Sequence, residues 1–167
     1  MGVMYDYFRA PDREVARAVG LQPGGPFGLS DDADVPEVDG VETKHLDPAV
    51  VMGKLMAMVL DRPWEVGLVS DELIWPEGPS PSMEEMEASP DSPWVTGPWL
   101  EELSTSFRDS LADVDDSALP AIANRWYQIE ELWGFDDALA LDFIEQFVAF
   151  ARRAKEAGDR LYCWCCL

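Results

Sequence analysis

Residues 161–167 read LYCWCCL, and this stretch limits the fold more than any other. Gly158 and Asp159 end the element before it, so the chain extends from Arg160. In a strand, alternation puts Leu161, Cys163, Cys165 and Leu167 on one face and Tyr162, Trp164 and Cys166 on the other. Both faces are apolar. A strand of that kind is covered on two sides and belongs in the middle of a sheet.

The same residues hold all three cysteines of the protein: Cys163, Cys165 and Cys166. Four uses compete for them. A zinc site takes about four ligands. Cys163 and Cys165 are the metal-ligating candidates, and His45 is the one histidine that could join them. A Cys163–Cys165 disulfide would span about 6.6 Å between Cα atoms in an extended strand, near the upper limit for a bridge. A C-a-a-X prenylation signal needs cysteine fourth from the end, where Trp164 stands. Packing is the remaining use, because buried free cysteines behave as small hydrophobes, and it is the one expected here.

The other elements follow from periodicity and caps. Residues 3–9 alternate as a strand, with Met4, Asp6 and Phe8 opposite Val3, Tyr5 and Tyr7. Residues 11–19 predict a short helix that buries Val15, Ala16 and Val19 and stops at Gly20. Residues 22–40 predict a turn-rich loop. Its Asp31, Asp32 and Asp34 resemble a calcium loop, but Pro36 falls where a ligand is required. Asp47 caps and Pro48 opens a helix over 49–60 that is apolar nearly all round, which marks it as buried. Residues 64–75 fit either a short strand or a helical turn.

Residues 76–93 carry five Pro, four Ser and five acids, and so predict a disordered acidic loop rather than a packed element. Three helices follow. The first runs over 98–113, with Leu100, Leu103, Phe107 and Leu111 in one stripe and Glu101 and Glu102 in its first turn. The second is capped by Asp116, carries Leu119, Ile122, Trp126, Ile129 and Trp133 toward the core, and ends at Gly134. The third is capped by Asp136, spans 137–157 and closes at Gly158.

Charge bears on function more than on fold. Twelve Lys and Arg oppose 33 Asp and Glu, a net charge of −21. Such a chain repels nucleic acid and anionic membranes and attracts cationic partners. With 47% hydrophobic residues it is too apolar to be disordered, yet no apolar run reaches the ~18 residues of a membrane span. The N-terminus lacks the pattern of a signal peptide, and Asp6 replaces the Ser or Thr of a myristoylation signal. The expected location is the cytoplasm.

No nucleophile elbow, phosphate-binding glycine loop or paired-histidine zinc motif occurs, and no motif calls for a cofactor. His45 is the one catalytic candidate, as a general base with Asp47, Glu42 or Asp39 nearby. Neighbouring carboxylates such as Asp115 and Asp116 read as helix caps rather than catalytic pairs.

Four stretches carry a family likeness: MGVMYDYFRA, the ETKHLD run before an apolar helix, the Trp- and Pro-containing approach to the C-terminal helices, and FIEQFVAFARRAKEAGDRLYCWCCL. Together they resemble the YfbM-like family of uncharacterised bacterial proteins. The resemblance implies an α+β fold whose first and last strands share a sheet, and it brings no catalytic residues. The acidic segment 76–93 and the cysteine-rich tail depart from that family's pattern.

The expected architecture is a single α+β domain over 1–167: a small sheet including the N- and C-terminal strands, packed against about five helices. The expected function is that of an acidic, non-enzymatic interaction protein binding a basic protein, of the immunity or inhibitor type. The alternative is a small enzyme or ligand-binding domain with a cleft near His45. The sequence leaves the oligomeric state open.

Overall fold

A computed structural model of the chain describes residues 2–28, 37–69 and 71–167. The Asp31, Asp32 and Asp34 run and Pro36 lie outside the described residues. β1 (Met4–Ala10) forms where the sequence alternates, sending Tyr7 to one core and Phe8 to another. α1 (Arg13–Gly20) starts two residues later than Pro11, because the Asp12 carboxylate accepts the Val15 N–H at 2.9 Å and so supplies the cap. β2 (Gly40–Lys44) was not foreseen. Its alternation is clear in retrospect, with Val41 and Thr43 buried and Glu42 and Lys44 exposed.

α2 (Val51–Val59) follows a turn at 48–50. Asp47 accepts the N–H groups of Val50 and Val51 at 2.7 and 3.4 Å, which is the capping role expected of it. The helix is buried on most sides through Val51, Met52, Leu55 and Met56. β3 (Asp71–Trp75) resolves the ambiguity of 64–75 in favour of a strand at its end.

Within 76–93 the structure places α3 (Met83–Ala88), closed by a capping box between Ser82 and Glu85. None of its residues is buried, so local capping rather than packing gives it shape. α4 (Pro93–Thr96) is a single turn.

Residues 98–113 depart from the expected helix. β4 (Trp99–Leu103) comes first, then Ser104 caps α5 (Thr105–Ala112). Leu100 and Leu103, three apart, fall on opposite faces of β4, and both faces are buried. Burial on both sides therefore mimicked a helical stripe. Glu101 and Glu102 lie on a strand and not in a helical first turn.

The next helix is also shorter than expected. Asp115, not Asp116, caps a 3₁₀ turn (Asp116–Ala118), and α6 (Leu119–Trp126) ends seven residues before Trp133. Trp133 follows a second 3₁₀ turn (Glu130–Leu132) and is 94% exposed, so it is no core residue. α7 (Asp137–Ala157) matches its expected bounds. Asp136 accepts the Leu139 N–H at 2.8 Å, and Gly158 closes the helix in the left-handed region at φ 73°. β5 (Arg160–Cys166) ends the described fold.

All five strands pair antiparallel in the order β2-β1-β5-β4-β3, and β5 lies in the middle, as its two apolar faces require. The fold is a single α+β domain. One sheet face packs on α2, α5, α6 and α7. There Tyr7 meets Phe147 edge-on at 5.1 Å, and the Trp126 indole donates to the Val51 carbonyl at 3.1 Å. The other face packs on α1, with Phe8 stacked on Tyr162 at 5.6 Å. Fully burying one such apolar side chain stabilises the fold by about 1.5–3 kcal/mol. Among the described residues no helix is long and apolar enough to cross a membrane.

Candidate functional site

β2 runs into His45, whose backbone turns left-handed at φ 64°. A side chain other than glycine is strained there, and such strain gathers at functional positions. The His45 N–H donates to the Val3 carbonyl at 3.3 Å, and its ring lies against the backbone of Gly2. Beside it opens a groove of about 470 Å³, lined by Met4, Lys44, His45, Phe135, Leu139 and Phe143. Phe135 and Phe143 stack at 5.6 Å, and Phe135 meets the buried Trp126 edge-on, so the floor rests on the main core.

The structure does not assemble the base expected at His45. Asp47 is engaged by the α2 cap, and Asp39 by Arg9 and Arg153. Glu42 lines the same groove, but no carboxylate hydrogen-bonds the imidazole among the described residues.

The thiols lie elsewhere. Cys163 is 1% exposed, and burial, then the charge of Glu101, pushes its thiol far above the ordinary range. Cys165 is half-buried and its thiol is pushed up to about 11, again chiefly by burial and then by Glu101. Thiols so shifted are poor nucleophiles and poor ligands. All three cysteines are free, and no group of three His, Cys, Asp or Glu side chains among the described residues is placed to hold an ion. Leu167, expected inward with Cys163, is 68% exposed because it lies beyond β5.

A second cavity, about 230 Å³, was missed in the sequence. Tyr5, Asp47, Asp71, Trp99, Glu101 and Cys165 line it, where the ends of β1, β3, β4 and β5 meet the start of α2. The Glu101 carboxyl is pushed up to about 7. Burial is the largest cause, followed by the charge of Asp71, a hydrogen bond to Asp71 and the charge of Asp47. Among the described residues no cation offsets them. The sequence hid this because Glu101 fitted a helical first turn as well as it fits a strand.

The opposite sheet face handles its carboxylate differently. Buried Glu102 receives Arg13 Nε at 3.0 Å, Arg160 Nη1 at 2.6 Å and the Tyr162 hydroxyl at 3.2 Å. Burial pushes its pKa up, but the two guanidinium groups outweigh that and hold it below the usual glutamate range.

That pairing extends over the whole molecule. Among the described residues, ten of the twelve Lys and Arg side chains, Lys44 and Arg125 aside, join internal ion pairs. Arg9 bridges Asp39 and Asp159 at 2.7 and 2.5 Å, and Arg153 shares Asp39. The cations are spent inside, so the field reaching solvent is negative.

No family model matches the chain, nor does any curated protein or solved structure.

Proposed function

We propose that this chain is an acidic docking protein that binds the basic face of another protein and masks it, in the manner of an immunity protein or inhibitor. The observation that carries this reading is the state of its cations: among the described residues, ten of twelve already sit on carboxylates of the same molecule, under a net charge of −21. A surface of that kind accelerates encounter with a cationic partner and rejects nucleic acid and anionic lipid. Three free thiols suit a reducing compartment, which in this reading is the cytoplasm. Kinship with the YfbM-like family, proposed on the stretches quoted above, would make the host a bacterium.

The test uses the intact chain as bait for a basic protein, followed by stopped-flow association of the purified pair. The rate should fall at least about tenfold between ~0.05 M and ~0.5 M salt. A rate indifferent to salt refutes the reading.

One observation favours the alternative of a ligand-binding domain or small enzyme: the groove beside His45 exists and has an apolar floor. That reading requires a small molecule that raises the melting temperature of the wild type and loses its effect in His45→Ala.

A further inference from the structure

β2 is one margin of the sheet and β3 is the other. The two margins differ. The ladder between β3 and β4 slips register between Leu73 and Trp75, and a break of that kind spoils an edge for further pairing. β2 keeps one register with β1 throughout and contains no proline.

That register also fixes where the backbone of β2 points. The Arg9 N–H donates to the Asp39 carbonyl at 3.1 Å, and the His45 N–H donates to the Val3 carbonyl at 3.3 Å. Hydrogen-bonded pairs alternate along an antiparallel ladder, so the bonded pairs between those two are Tyr7 with Val41 and Tyr5 with Thr43. Glu42 and Lys44 therefore turn their N–H and C=O groups away from β1. Among the described residues those groups have no partner.

The groove of about 470 Å³ runs along this margin. It touches four successive residues, from Glu42 to His45. Alternate side chains of a strand point to opposite faces, so a groove meets four in a row only at the strand's edge. Its far wall is apolar: Phe135, just before α7, with Leu139 and Phe143 in the first turns of that helix.

The geometry points to this edge as a docking site where an extended segment of a partner protein joins the sheet as a sixth strand. The segment's backbone pairs with Glu42 and Lys44. Its apolar side chains pack on Phe135, Leu139 and Phe143, and the side chains between them lie beside those of Glu42 and Lys44 on the other face. Charge selects the occupant. Neither Glu42 nor Lys44 joins an ion pair among the described residues, so a basic residue and an acidic one two places apart answer both. A second copy of the chain would bring −21 against −21, whereas a segment rich in Lys and Arg is drawn in. The occupant's charge rests on the docking reading above; the strand pairing does not.

The probe is a dye-labelled peptide of about nine residues in which Val or Ile alternates with Lys, one central Lys being replaced by Glu. Fluorescence anisotropy should show it binding the wild type. Two further peptides are N-methylated on alternate residues, one on the Lys series and one on the Val and Ile series. One of the two should lose at least about tenfold in affinity and the other less than about threefold, because only one series turns its N–H groups to β2. Lys44→Pro removes an N–H that β1 does not use, so the fold tolerates it, as circular dichroism melting should show. It should bind at least about tenfold more weakly than Lys44→Ala, which lacks the same charge and keeps the N–H. Equal affinities for the two methylated peptides overturn strand addition, as does failure of the unmethylated peptide to bind. Should Lys44→Pro melt early, the methylated peptides alone decide. None of these failures touches the docking reading, which answers to the salt test. A control with Glu in place of every Lys should not bind; if it binds as tightly, the strand site stands and the docking reading falls.

Discussion

Glu101 permits a quantitative test of the second cavity. Its carboxyl is pushed up from 4.5 to about 7, because it is buried and faces Asp71 and Asp47 with no cation among the described residues to offset them. Each pK unit is worth 1.36 kcal/mol, so ionising this group in the fold costs about 3 kcal/mol. Partial solvent access trims that to about 2–3 kcal/mol. The direction follows from proton binding. Between pH 4.5 and 7 the folded state holds a proton that the unfolded state has already lost, so stability falls as pH rises through that window and is flat above it.

Glu101→Gln replaces the neutral acid with a neutral amide of the same shape. Urea unfolding should find the variant more stable by only about 0.5–1 kcal/mol at pH 5, and by about 2–3 kcal/mol at pH 8. Asp6, buried and pushed up to about 6 chiefly by burial, lowers stability over a similar range, but equally in both proteins. It therefore cancels in the difference. An equal gap at pH 5 and pH 8 would refute the claim that Glu101 is held neutral by its surroundings.

Three further outcomes are expected. Glu102→Gln should lower stability by about 2–4 kcal/mol in urea, because it leaves Arg13 and Arg160 without the buried charge they share. Cys163 should resist a thiol reagent such as DTNB in the native protein and react only in denaturant; rapid native labelling at Cys163 would contradict its central, covered place. His45→Gly should raise stability by about 0.5–1 kcal/mol, since glycine adopts φ 64° without strain, while His45→Ala should not.

The parts of the fold legible in the sequence are those where one physical signal acts alone. α7 had a cap at Asp136, a glycine at Gly158 and an unbroken stripe between them. β5 had apolar residues on both faces and nothing else to be. The misreadings occur where two signals coincide. In β4, Leu100 and Leu103 serve different cores, and their spacing of three imitates a helix. Ser104, the true cap of α5, was passed over for that reason. Trp133 continued the spacing of α6 past the point where the chain turns away, because periodicity does not report where a helix stops. The candidate site was half legible. His45 drew notice as the lone histidine, and it does border a groove, but the groove owes its floor to Phe135 and Phe143, which the sequence offered only as core. Glu101 was invisible, since its environment is made by four strands brought together from distant parts of the chain.

The position of β5 has a consequence for how the protein comes into being. It follows every other element, yet it stands between β1 and β4. A ribosome delivers β1 with β2, and later β3 with β4, as two fragments that each leave an unpaired edge in water. Neither can join the other until residues 160–166 have emerged. Closing that gap spans nearly the whole chain, so folding should be slow for a protein of this size, and the newborn chain should depend on chaperones or on its own negative charge to stay apart from its siblings.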